Sequence, residues 1–288
     1  MRKSFDDIIQ DIYKMGLNLY DLALYTEKGI QAHRFQICNN CNNSYSVAKV
    51  FVVTALGLLW QKRQLDVGDS IYDLFKDRYV DDVESAWQLA TIEHAMTHKL
   101  GFDEGFLDID VEDVNAYSSD DYLQLVLTHP LRYLPGTHSQ YSDAAYYLLS
   151  RIVSQVAGET MDALLFRCIF RPMGFQEVAW SRCPHGYPMG ATGLYISSED
   201  MVKLGALYLN GGIYNGQRLL SKEWVDKVIE NEYELHSMTP GGLIGKGGMY
   251  GQALIFSQKA RFAVAWHGHM ADNQDQKLVD YFEELAEL

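Results

Sequence analysis

Cysteine is scarce in this sequence, basic residues are outnumbered, and long apolar runs are missing. Four cysteines among 288 residues exclude a scaffold built from disulfides. The longest apolar run, Val50 to Trp60, already contains Thr54 and is far shorter than the ~20 residues a membrane-spanning helix requires. Lysine and arginine number 24 against 38 aspartates and glutamates, a formal net charge of −14. An acidic chain with no basic cluster repels a phosphate backbone, so nucleic acid is not an expected partner. No segment is of low complexity and no repeat recurs at a fixed period, which excludes a solenoid. After Met-Arg-Lys, the acidic Asp6, Asp7 and Asp11 interrupt the apolar stretch that a secretory leader needs. The expectation is a cytoplasmic protein with no membrane partner.

What is present suits a globular enzyme. Hydrophobic residues make up 48% and charged residues 22%, and the length suffices for a substantial core. Phe5, Ile8, Ile9, Ile12 and Tyr13 recur at helical spacing and predict an amphipathic helix over 4–15. Leu19–Tyr25 and Ile30–Ile37, parted by Glu-Lys-Gly, read as a β-hairpin. A polar loop containing Asn39, Asn40, Asn42 and Asn43 leads to Ser46, and the following stretch to Gln64 is apolar nearly all round, the mark of a buried helix. Helices are expected at 91–98, 143–156, 161–170, 198–209, 221–230 and 277–287, with strands at 251–257 and 261–267. Strands at both ends with helices between them suggest one sheet completed by the two ends of the chain, with a helical insertion.

The chemistry begins at Ser46-Val47-Ala48-Lys49. Residues three apart share a helix face, so a hydroxyl and an amine at this spacing can meet. A serine is a poor nucleophile without a base, and lysine serves as one when burial or nearby positive charge lowers its pKa. Backbone N–H groups at a helix start would also suit an anionic intermediate. The bland alternative is a helix-start serine and a surface lysine, since Ser-x-x-Lys is a common string. What counts against it is that this match opens the most apolar helix of the chain. Tyr141-Ser142-Asp143 precedes another helix. Ser142 or Asp143 reads as its N-cap with Tyr141 packed beneath, or Tyr141 relays a proton. Gly245-Lys246-Gly247-Gly248 fits no phosphate-binding pattern and leads into a strand, where it could bring a lysine and a backbone N–H to the serine.

In this order, Ser46-Val-Ala-Lys49, Tyr141-Ser-Asp143 and Lys246-Gly-Gly248 resemble the three motifs of the penicillin-recognising serine hydrolases, the serine β-lactamases and penicillin-binding proteins. Thr91–His98, Pro135-Gly-Thr137, Phe170–Gly174 and Gly193–Asp200 also look like class C β-lactamases and their esterase and peptidase relatives. The resemblance implies an α/β (α+β) fold: an antiparallel sheet flanked by helices plus a mainly helical subdomain. One catalytic domain over 1–288 is expected, its α/β part near 1–64 plus 190–288 and its helical part near 65–189. By the same resemblance Ser46 is the nucleophile, and Lys49 and Tyr141 handle its proton. Asp143, Lys246, Gly248 and Met249 bind substrate, the N–H groups of Ser46 and Met249 hold the oxyanion, and no cofactor or metal takes part.

Two positions depart from that pattern. Asp143 stands where asparagine is usual, and its carboxylate would favour the charged form of Lys49 and repel an anionic substrate. Gly247 replaces the hydroxyl residue that helps relatives hold a β-lactam carboxylate. Both favour an esterase or amidase acting on small neutral or amine-bearing compounds over a dedicated β-lactamase. A non-hydrolysing sensor or binding protein on the same scaffold is the competing reading.

Other polar groups read more plainly. Cys38-Asn-Asn-Cys41 lacks the setting of a redox pair or zinc site and reads as two loop thiols. His94 and His98 lack a third metal ligand. His267 and His269 are expected on a rim or in solvent, and Asp108, Asp110 and Asp113 in a solvated acidic stretch.

Overall fold

Ser4 and Gly16 bracket the first helix through their own chemistry. The Ser4 hydroxyl accepts the Asp7 N–H at 3.2 Å, the Asp7 side chain reaches back, and Gly16 ends the helix in the left-handed region, φ 65°. The computed structural model describes residues 3–78, 86–271 and 273–287. Its longer helices are α1 (Phe5–Met15), α2 (Ala48–Trp60), α3 (Asp143–Ala157), α4 (Ser198–Leu209), α5 (Lys222–Glu230) and α6 (Gln276–Glu287). Its main sheet contains β1 (Leu19–Thr26), β2 (Gly29–Arg34), β3 (His236–Ser237), β4 (Leu243–Gly248), β5 (Gln252–Ser257) and β6 (Phe262–Gly268). Two compact units result, one of Met1–Val47, Pro172–Ala179 and Leu194–Leu288, the other of Ala48–Arg171 and Trp180–Gly193. Among the described residues, no helix is long and apolar enough to cross a membrane.

The first unit is built on the sheet, ordered β2-β1-β6-β5-β4-β3 and antiparallel throughout. Leu22 pairs with Trp266 and Leu24 with Val264, so the strands from the two ends of the chain do join in one sheet. Side chains alternate across a strand. Phe262, Val264 and Trp266 therefore share one face of β6, where they pack with Ile8 and Ile12 of α1 and Phe282 and Leu285 of α6. On the other face lie the small residues Ala263 and Ala265, beneath α4. Gly205 of α4 permits that close approach: a Cβ there would stand 2.8 Å from Leu254 Cδ1. Both faces of β6 are thus covered, and all its residues are buried.

The second unit is helical at its centre. From Ala48 to Leu59 every residue of α2 is buried, and the helix packs on α3. Phe51 meets Phe170 and Trp180 edge-on, with ring centroids 5.9 and 6.5 Å apart. Thr91 caps the short helix Ile92–Met96, and His94 reciprocates by accepting the Thr91 N–H.

Four local expectations need correction. Asn42–Asn43 is a short strand paired with Tyr195 and Ile196 rather than plain loop. Gly245–Gly248 lies inside β4 rather than ahead of a strand, because both its edges find backbone partners, β5 and β3. Ser142 occupies the N-cap position of α3 but makes no cap bond; its hydroxyl accepts the Phe106 N–H at 3.3 Å instead. His267 is wholly buried within β6, because α4 covers it: the Ser198 hydroxyl lies 2.8 Å from its Nδ1 and also bonds the Asp21 carboxylate.

Candidate active site

Ser46 sits in a 3-10 turn, Tyr45–Val47, that runs directly into α2. The turn is tied at several points. Ser44 donates its N–H to Leu194 O at 2.8 Å, Tyr45 to Asn43 Oδ1 at 3.0 Å, and Val47 to Ser44 O at 3.1 Å. Tyr45 is held at φ 47°, a left-handed conformation that a tyrosine adopts only under constraint from its surroundings.

The end of β4 presses against this turn. A Cβ on Gly248 would stand 2.7 Å from Ser44 O and 3.3 Å from Ser46 N, so only glycine permits the approach. Lys246, two residues earlier, projects to the same strand face. Its ammonium is largely buried and ion-paired with Glu234, which is itself buried. Met249 begins the turn after β4, and Tyr250 follows with φ 59°. The Tyr250 ring stacks on His269 at 4.2 Å and meets Tyr45 edge-on at 5.4 Å, and His269 is exposed, as expected of a rim residue.

Lys49 falls in the first turn of α2 and is wholly buried. Its ammonium donates to Asp143 Oδ1 at 2.8 Å and to Ala191 O at 3.0 Å. It also lies 4.7 Å from the centre of the Tyr141 ring and 5.7 Å from that of Tyr146. Tyr141 is half-exposed, not packed beneath the helix; its ring lies 4.4 Å from that of His98. His98 Nδ1 accepts the Ser142 N–H at 3.3 Å, a structural bond at the start of α3.

The acidic stretch joins this arrangement. Burial, and then the Asp143 charge, push the Asp108 carboxyl above its ordinary range. Asp110 accepts a hydrogen bond from the Thr192 hydroxyl. The expected solvated run is thus partly drawn inside. The loop thiols are deactivated: burial pushes Cys38 up, and pushes Cys41 up to about 11 with help from Glu177. Among the described residues, no group of three or more His, Cys, Asp or Glu is placed to hold a metal ion.

Glu234 was not legible as a site residue. The Glu234 segment carries no motif, and only the fold places its carboxylate on Lys246.

A protein-family model described as Beta-lactamase matches residues 43–286. A protein of Escherichia coli O157:H7 named as a D-alanyl-D-alanine carboxypeptidase is 29% identical over 51% of this chain and 31% of its own length. A protein of Bacillus subtilis (strain 168) named as a penicillin-binding protein is 22% identical over 79% of this chain and 64% of its own. The chain therefore spans less than two thirds of either relative. The solved structure of a Bacillus anthracis protein described as a 6-aminohexanoate-dimer hydrolase shares the fold. It superposes with a TM-score of 0.80 over 99% of this chain and 81% of that one, at 16% identity.

Proposed function

Since the chain belongs to the Beta-lactamase family, we propose that it is a serine hydrolase that cleaves an ester or amide bond through an acyl-serine intermediate. One observation carries this reading: a buried ammonium, Lys49, stands three residues after a serine whose turn is tied down on both sides. In the proposed reaction Ser46 Oγ attacks the carbonyl carbon and its proton passes to Lys49 in its uncharged amine form, or to Tyr141 as the phenolate. The N–H groups of Ser46 and Met249 receive the oxyanion. The intermediate collapses with transfer of the proton to the departing alcohol or amine, and water then attacks the acyl-serine. Lys246 orients the substrate, and the chemistry draws only on protein groups.

The substrate class is a small ester or amide, with β-lactams less suited, because Asp143 and Gly247 replace groups that favour an anionic ligand. The relatives' names point to amide bonds, though each relative is longer than the matched region. Four unpaired thiols, Cys38, Cys41, Cys168 and Cys183, support a reducing, cytoplasmic setting. One finding favours the competing reading of a non-hydrolysing binder: the Lys49 side chain is already engaged by the Asp143 carboxylate at 2.8 Å.

Intact-protein mass spectrometry after exposure to a fluorophosphonate, with Ser46→Ala alongside, separates the two. The expected result is one adduct, lost in the variant. Folded protein that takes no adduct is a binder.

A further inference from the structure

Glu234 belongs to none of the three motifs, yet it lies just before β3, the strand paired with the one that carries Lys246. Its side chain is almost fully buried and ion-paired with the Lys246 ammonium. His236 Nε2 stands 3.7 Å from the same carboxylate. The backbone of Glu234 is held at φ 62°, a conformation that a residue with a side chain keeps only where its surroundings enforce it. Both neighbours of the loop are anchored: Tyr233 N–H bonds Val228 O at 3.0 Å, and His236 is paired in register with Gly245 of β4. A buried carboxylate is retained only when paired, and this one pairs with the Lys246 ammonium.

From this arrangement we infer that Glu234 is a specificity-determining residue. It occupies the Lys246 ammonium from within and disfavours substrates that bring their own carboxylate to that lysine. The inference rests on the hydrolase reading above and adds to it a substrate class: esters and amides that are neutral on the side Lys246 contacts. Lys246 and Gly248 share a strand face, and Gly248 abuts the Ser46 turn, so the charge state at Lys246 bears on whatever is bound beside Ser46. A substrate carboxylate arriving there meets an ammonium already neutralised and a second carboxylate that repels it. A neutral substrate meets neither penalty. Peptides ending in a free carboxylate fall in the disfavoured class.

The test uses two esters with one acyl group and matched leaving groups, 3-hydroxybenzamide (neutral) and 3-hydroxybenzoate (anionic). The wild-type enzyme is expected to hydrolyse the neutral ester about tenfold faster in kcat/KM, and Glu234→Gln to erase most of that ratio by raising the anionic rate. Fluorophosphonate labelling of Ser46 is measured first on both proteins. Wild-type protein that takes no label fails the hydrolase reading, and this inference with it. Labelled enzyme that treats the two esters alike, hydrolyses neither, or keeps its full ratio in Glu234→Gln overturns the inference alone. Where Glu234→Gln does not fold, the wild-type ratio decides, and a ratio near one overturns it.

Discussion

The Lys49 ammonium and the Asp143 carboxylate, 94 positions apart in the chain, stand 2.8 Å apart with almost no access to water. Removing one member of a buried pair leaves an uncompensated charge. Asp143→Ala is expected to cost about 3–5 kcal/mol of stability. Asp143→Asn costs less, because an amide oxygen still accepts from Lys49, and it speeds fluorophosphonate labelling by releasing the lysine to act as a base. Denaturant melts and labelling rates on both variants check this. Equal loss in the two, with no change in labelling, would show that the carboxylate charge is immaterial.

Gly248→Ala addresses the turn that carries Ser46. The new methyl group would lie 2.7 Å from Ser44 O, a backbone atom that cannot swing aside. The turn must shift, and a misplacement near 1 Å costs on the order of a hundredfold in rate. The expected outcome is a folded protein whose labelling is slowed by about that factor. Unchanged labelling would mean that the strand end yields instead.

Asp108 predicts a pH effect. Burial and the Asp143 charge raise its folded-state pKa above the ordinary carboxylate range. Its contribution to stability is thus fully present below the unfolded-state pKa and lost as pH rises through the folded-state value. At neutral pH the ionised group is a liability, so Asp108→Asn should raise Tm. Its amide oxygen can still accept the Asp110 N–H, a bond of 3.1 Å in the protein. The gain should shrink in acid, where Asp108 is itself neutral. Thermal melts across the acid-to-neutral range read it directly, and a gain independent of pH would assign the effect to packing.

For Cys41 the prediction is chemical inertness. With its thiol pushed up to about 11, chiefly by burial, little thiolate exists near neutrality. Iodoacetamide should modify it slowly, at a rate that climbs with pH toward that value. Rapid alkylation at neutral pH would contradict the burial seen in the fold.

The parts of the fold that were readable from sequence are those whose pattern is set locally. Val50–Leu59 reads as a buried helix because nearly every side chain is apolar, and α4 spans the predicted 198–209. Strand pairing between the chain ends followed from the order of the elements. His267 was misread because a polar residue at the end of a strand ordinarily faces water. Its burial depends on Asp21 and Ser198, which lie far away in the chain and meet it only in the folded sheet. The motif spacing singled out Ser46, Lys49, Tyr141 and Lys246. It put Asp143 beside Lys49 but carried no sign that Lys246 would also have a carboxylate, which comes from Glu234 in the turn before β3.

The pairing of β1 with β6 also sets when this protein can fold. A ribosome moving at roughly 5–20 residues per second finishes β6 on the order of tens of seconds after β1. Throughout that interval the N-terminal hairpin presents Leu22 and Leu24 on an edge with no partner, the kind of surface that recruits other strands. The sheet that holds this unit together is assembled from its earliest and its latest strands. Folding of this unit waits for β6, and the newborn hairpin is the segment most in need of shelter until that strand emerges.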